Sequence, residues 1–221
     1  EFEDFSAKLR IHDMRFVPIS ALKGDNVVDE SDAMPWYKGR SFLHILEDMH
    51  IASDQNLVDC RFPVQYVIRP QRDDYHDFRG YAGQIAGGIF KPGDDVIVLP
   101  SGFTSTIQGI ETADGPVAEA HPPMSVVMTL TDDIDISRGD MICRPGNQPF
   151  VGQDLEAMVC WMSENGALAP GRKYVLKHTT RRVKALIKEL EYRLDVNSLH
   201  RDQESTELVL NEIGRIKLRT T

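Results

Sequence analysis

Residues 58–69 alternate apolar and polar side chains, with Phe62, Val64, Tyr66 and Ile68 on one face, and the pattern stops at Pro70. A period of two over that length marks a half-buried strand, and a proline ends its hydrogen bonding. The run is the first of a series. Residues 80–88 read as a Gly-rich strand, Lys91-Pro-Gly-Asp94 as a turn, and residues 96–99, 104–111, 125–130 and 140–143 as further short strands. Turn signals recur every ~8–12 residues, a spacing that predicts about six or seven strands closed into a barrel. Gly80, Gly83, Gly88 and Gly93 are the bends and bulges that a tight barrel needs.

Pro145-Gly-Asn-Gln-Pro149 is a domain boundary, and a second β run follows at 155–162, 173–178, 206–211 and 214–218. One segment reads two ways. Val183, Leu186, Ile187, Leu190 and Leu194 suit an amphipathic helix, whereas Val183, Ala185 and Ile187 suit a strand. Periodicity slightly favours the helix; the β neighbours and the pairing needs of a barrel favour the strand, which is the reading adopted.

Before the first barrel the pattern differs. Phe2, Phe5 and Leu9 recur at helical spacing, residues 16–19 read as a short buried strand, and residues 20–26 as a turn. Trp36, Tyr37 and Gly39 lie in a connector. Ser41 is placed to cap a helix carrying Phe42, Leu43, Ile45, Leu46 and Met49. These elements are the tail of an α/β domain and too few to fold alone. The fold class is therefore mainly β: a short α/β remnant over 1–51, a barrel over 52–146 and a second barrel over 147–221.

Composition narrows the chemistry. The net charge of −9 argues against broad nucleic-acid binding, which needs a concentrated basic surface. Three separated cysteines, Cys60, Cys143 and Cys160, form neither a disulfide framework nor a zinc motif, so buried reduced thiols in a cytoplasmic protein are expected. No apolar run approaches the ~20 residues of a membrane helix. The seven histidines are scattered, none at a catalytic spacing from Cys, Ser or Asp, and no catalytic residue is assigned. The Gly-rich strand is not followed by Gly-Lys-Ser/Thr, so it is no phosphate loop. Asp132-Asp133-Ile-Asp135 lacks the Gly and terminal Glu of a calcium loop and reads as a solvated turn; no metal site is assigned. Residues 172–193 are rich in Arg and Lys, interrupted by Glu189 and Glu191. A solvated face is the simple reading, with a contact surface for RNA or an acidic protein as its rival.

Several motifs carry a resemblance over nearly the whole chain. They include Phe16-Val-Pro-Ile-Ser-Ala-Leu-Lys-Gly-Asp-Asn-Val-Val28, Pro35-Trp-Tyr37, and the run from Phe78 through Gly83 to Gly93. Val98-Leu-Pro-Ser-Gly102, Asp133-Ile-Asp-Ile-Ser-Arg-Gly-Asp140, Ala157-Met-Val-Cys-Trp-Met162, Asp195-Val-Asn197 and Leu210-Asn-Glu-Ile-Gly-Arg215 complete the set. Broadly, the chain resembles the second half of translational GTPases such as elongation factor Tu. More narrowly, it resembles the large GTP-binding subunit of bacterial sulfate adenylyltransferase. The Ile-Asp-Ile-Ser-Arg-Gly-Asp run and the Trp-Met strand carry the narrower match.

That resemblance implies a function. Ser20, Ala21 and Leu22 would form the guanine-side loop for GTP, a backbone N–H donating to the base and the small Ala21 letting the backbone come close. The parent protein would use GTP and Mg, coupling GTP hydrolysis to the formation of adenylylsulfate and pyrophosphate from ATP and sulfate. Its partner would be a small catalytic subunit, with an adenylylsulfate kinase fused downstream in some forms. Phosphate loop, switch segments and Asn-Lys-x-Asp are missing, so the chain reads as a C-terminal fragment, catalytically silent, with no cofactor expected in it and no nucleic-acid partner. The second barrel is expected to be open, with an exposed edge. The rival is a pair of elongation-factor barrels gripping tRNA or the ribosome. A third reading, an interaction domain without a nucleotide, is favoured if Ser20-Ala21-Leu22 lies away from a strand end.

Overall fold

The computed structural model describes residues 2–9, 14–49, 55–70 and 78–221. The chain divides into two compact units, Glu1–Asp54 and Gln55–Thr221.

The first unit holds helix α1 (Phe2–Ser6), a 3-10 turn (Ala7–Leu9) and helix α2 (Phe42–Glu47). The helical spacing at the start is thus realised through Leu9; residues 10–11 lie outside the described set. The strand expected at 16–19 does not form. Those residues pair with no sheet, and Phe16 and Ile19 are about half exposed. A buried strand needs hydrogen-bonding neighbours, and Pro18 supplies no N–H. Ser41 occupies the N-cap of α2 with extended backbone, but its side chain makes no capping bond; its carbonyl accepts from the Ile45 N–H at 3.1 Å. Phe42, Leu43, Leu46 and Met49 remain more than 40% exposed, so the apolar face of α2 finds no core within this unit.

The second unit is β. Its first seven strands are β1 (Arg61–Ile68), β2 (Gly80–Gln84), β3 (Asp95–Leu99), β4 (Thr104–Thr112), β5 (Gly115–Pro116), β6 (Ser125–Leu130) and β7 (Met141–Cys143). They run in the order β3-β7-β1-β2-β6-β4-β5, and a β3–β4 pairing closes the ring. Inside lie Phe62, Tyr81, Phe90, Ile107, Met128 and Ile142, each 1% exposed or less. Burying side chains of this size contributes ~1.5–3 kcal/mol each. The Gly-rich strand ends at Gln84, short of the expected Gly88. Gly88 has φ +73°, and a Cβ there would lie 2.4 Å from the Cys60 Cα, so the chain turns against the start of β1 instead of extending.

The remaining strands are β8 (Asp154–Cys160), β9 (Lys173–His178), β10 (Arg181–Leu194), β11 (Arg201–Asp202) and β12 (Ile213–Thr220). Their sheet is open: β10 lies between β12 and the pair β9 and β11, and β8 pairs only with β12. The ambiguous segment is strand throughout, laddered on β12 from Ala185 to Leu194. The strand expected at 206–211 is not one. Leu208 makes a single bridge to Leu168, and Asn211 then turns the chain at φ +66°. This second core gathers Leu168, Ala185, Ile187, Leu190, Leu208, Ile216 and Leu218, with Trp161 packed edge-on to Tyr174 at 5.3 Å.

Candidate functional site

The residues assigned to the guanine-side loop form a tight turn. Ser20 N–H donates to the Asp25 carbonyl at 3.1 Å, and the Ser20 carbonyl accepts from the Gly24 N–H at 2.8 Å. Gly24 sits at φ +78°, a left-handed conformation that glycine adopts without penalty. Ala21 and Leu22 stand at the tip, Leu22 96% exposed. Neither of their N–H groups is taken by an acceptor among the described residues. Two free donors behind a methyl side chain suit a flat base edge carrying an acceptor, so these residues fit the group that the resemblance implies.

Asn26 holds the loop, and the sequence reading gave it no role. It is buried to 1% exposure at φ +55°, a conformation Asn tolerates. Its Nδ2 donates to the Pro18 carbonyl at 3.0 Å, its Oδ1 accepts from the Ser31 N–H at 2.8 Å, and its carbonyl accepts from the Phe42 N–H at 2.9 Å. The Ser31 hydroxyl donates to Asp25 at 2.6 Å. An Asn just after a Gly-Asp turn was the available signal. The loop lies away from any strand among the described residues, the arrangement named above as favouring a domain without a nucleotide.

In the first barrel the Asp132–Asp135 turn is tied down by side chains. Asp132 accepts from Ser105 at 2.7 Å, Asp133 pairs with Arg79, and Asp135 lies 3.8 Å from Arg69. The Ile134 carbonyl accepts from Arg79 at 2.8 Å and from the Tyr81 hydroxyl at 3.0 Å. Burial pushes the Tyr81 hydroxyl pKa up. Among the described residues no three His, Cys, Asp or Glu side chains gather as a metal site. Cys60 and Cys143 are buried as expected, but Cys160 is not: it ends β8 on the exposed face of the sheet. Burial raises the Cys143 thiol to about 11.

Asn147, in the expected boundary segment, is stapled to the start of the barrel. Its Oδ1 accepts from the Cys60 N–H at 3.2 Å, its Nδ2 donates to Asp59 at 2.9 Å, and its carbonyl accepts from Arg61 at 2.6 Å. The two sheets meet at the Val64 carbonyl, which accepts from the Gly139 N–H at 3.0 Å and from the Thr180 hydroxyl at 2.8 Å. A Cβ on Gly139 would lie 3.0 Å from the Arg181 backbone. The Ile-Asp-Ile-Ser-Arg-Gly-Asp run therefore ends in the joint between the sheets.

Residues 154–221 match the family described as GTP-eEF1A C-terminal domain-like. The bifunctional enzyme CysN/CysC of Mycobacterium tuberculosis is 58% identical over 220 residues, covering all of this chain and 36% of the relative. Sulfate adenylyltransferase subunit 1 of Bacteroides thetaiotaomicron is 43% identical over 228 residues, covering all of this chain and 46% of the relative. The chain is similar, end to end, to part of sulfate adenylyltransferase subunit 1. It spans between a third and a half of the length of these relatives. Among solved structures, sup35 complexed with GMPPNP superposes with a TM-score of 0.69 at 20% identity, covering 92% of this chain and 49% of that one. The translation elongation factor SelB of Methanococcus maripaludis reaches 0.58 at 19% identity, covering 80% and 38%. These likenesses show the fold: β-barrels of the translation-factor type. The sequence similarity to subunit 1 does not favour the elongation-factor reading.

Proposed function

We propose that this chain is the guanine-side loop and barrel portion of a sulfate adenylyltransferase GTP-binding subunit. The parent protein, with a small catalytic subunit, couples GTP hydrolysis to the formation of adenylylsulfate and pyrophosphate from ATP and sulfate. The observation that carries this reading is the 58% identity to a named bifunctional enzyme CysN/CysC over 220 residues. The bifunctional name also supports a fused adenylylsulfate kinase in some forms.

Within this reading the domains divide at 1–51, 52–146 and 147–221. The backbone N–H groups of Ala21 and Leu22 donate to the guanine base, Ser20 closes the loop beneath them, and Asn26 keeps it rigid. GTP, with Mg, supplies the phosphoanhydride whose hydrolysis drives the coupled synthesis. No residue of this chain touches the reacting phosphate; its part is to bind and orient the base. Among the described residues no helix is long and apolar enough to cross a membrane, and a cytoplasmic setting suits the assimilation of sulfate. Adenylylsulfate formation by the full-length protein mixed with the small subunit tests the reading. A rate that rises with GTP supports it; a rate indifferent to GTP, or no adenylylsulfate, overturns it.

A further inference from the structure

The sheet of the second core carries two contrasting surfaces. Across β8, β12 and the C-terminal half of β10, outward-facing charges alternate in sign and pair. Asp154 meets Lys188 at 2.9 Å and Arg219 at 3.3 Å, Arg215 bridges Glu156 and Glu191, and Lys217 bridges Glu189 and Glu191. This ladder neutralises itself.

The hairpin of β9 and the N-terminal half of β10 does the opposite. Its register sets Lys177 directly across from Arg182, Val175 across from Lys184, and Lys173 across from Leu186. Tyr174, Leu176 and Ala185 fill the inner face. The outer face therefore presents Lys173, Lys177, Arg182 and Lys184 around Val175, which is 70% exposed. None of the four cations forms an ion pair with any described residue, although the chain as a whole carries nine more acidic than basic charges. Like charges directly opposite one another cost stability. Lysines on an edge strand are a usual guard against aggregation; β12 ladders on β10 only from Ala185 onward, so at Arg182 the hairpin is an edge on both sides, and its cations also keep that edge from pairing.

The tip of the hairpin breaks a second local rule. Thr179, β-branched, sits at φ +52° in the two-residue turn, a place that favours glycine. Beside it opens a cleft of about 400 Å³ lined by Gln65, Gln84, Arg138, Lys177, Thr179 and Thr180, with no carboxylate in its wall. Arg138 spends one N–H on the Gln65 carbonyl at 3.0 Å and has no carboxylate partner among the described residues. The turn has a use inside the fold, the Thr180 hydroxyl on the Val64 carbonyl; the like-charge pair of Lys177 and Arg182 has none among the described residues, and a local cost without an internal gain marks a functional surface.

We propose that the outer face of the β9–β10 hairpin, with the cleft at its tip, docks an acidic segment of a partner protein. A carboxylate enters the cleft between Lys177 and Arg138, further carboxylates meet Arg182 and Lys184, and an apolar side chain covers Val175. Charge complementarity selects the class of occupant. The patch is confined to one hairpin of a chain whose net charge is −9, too small a basic surface for an extended polyanion, so a short acidic peptide fits where a nucleic-acid backbone does not. This inference stands apart from the proposed activity.

The test is fluorescence anisotropy of the full-length protein with a labelled Glu-Ser repeat peptide, and with an oligothymidylate of equal charge. The peptide is expected to bind at low salt, to weaken as salt is raised past ~0.1 M, and to bind about tenfold more weakly to the Lys177→Glu/Arg182→Glu variant. Lys91→Glu, a charge reversal in the first barrel, is expected to change nothing. Arg182→Glu alone is expected to hold or raise the thermal midpoint, because it removes the like-charge pair. Absence of peptide binding overturns the proposal, as does binding unchanged in the double variant. Oligothymidylate binding as tight as the peptide's, through the same residues, overturns it in favour of a phosphate-binding surface.

Discussion

Asn26 is the residue on which the loop depends, because one buried side chain satisfies the Pro18 carbonyl and the Ser31 N–H together. Asn26→Ala leaves both unsatisfied, at a cost of ~1–3 kcal/mol. The Ser31 amide should then exchange with solvent at least ~10-fold faster than in the wild type; unchanged exchange would remove Asn26 from this role. Motif reading singled out Ser20, Ala21 and Leu22 but passed over Asn26, because nothing in a single polar residue announces burial. The thiols divide just as sharply. Burial raises Cys143 to about 11, which cuts its thiolate ~100-fold relative to an ordinary thiol. Native protein at mildly alkaline pH should therefore release one equivalent quickly to a disulfide reagent, from exposed Cys160, and the rest only on unfolding. The sign for stability follows. Folded Cys143 and Tyr81 hold their protons more tightly than the unfolded chain does. The Cys143 contribution is complete below the ordinary thiol value of 9.0 and is lost as pH rises through about 11, whereas that of Tyr81 is complete below the ordinary value of 10.0 and is lost above it.

At the scale of elements, the ladder on β8, β10 and β12 makes a prediction of opposite sign. Hydrogen bonds from Lys188 and Arg215 lower the pKa of Asp154 and of Glu156. Their contribution is present above the ordinary values of 3.8 and 4.5 and is lost as pH falls below them. These groups are exposed, so the effect is modest and screened by salt. Thermal midpoints recorded downward from pH 5 should fall more in low salt than in high. The first barrel turns on backbone clearance. Gly88→Ala forces a Cβ into the Cys60 backbone at a left-handed φ, and should cost more than ~2 kcal/mol, read as a lowered denaturant midpoint. The strands of that barrel were legible because each half-buried run alternates cleanly between turns. At β10 two periodicities competed, and β12 decided between them by laddering along it, a partner that no local window contains. Residues 16–19 and 206–211 were misread for a related reason. Both are apolar runs, and an apolar run is a strand only where a neighbour lies in register to pair with it. The charges of residues 172–193 were visible as composition. Their division into a paired ladder and an unpaired hairpin needed the register of β9 on β10.

At the scale of the molecule, the second unit is one body with two cores joined at the Val64 carbonyl, where Gly139 and Thr180 both donate. The first unit leaves Phe42, Leu43, Leu46 and Met49 uncovered within itself. In the proposed function this chain positions: a loop offering donors, followed by a β body offering surfaces. The most direct measurement of that account is a transplant. This chain replaces the 58% identical segment of the Mycobacterium tuberculosis bifunctional enzyme, and adenylylsulfate synthesis with the small subunit is followed with and without GTP. The account predicts that the chimera keeps GTP-stimulated synthesis, with a GTP requirement close to that of the unaltered enzyme. A chimera that folds yet makes adenylylsulfate at a rate indifferent to GTP would contradict it.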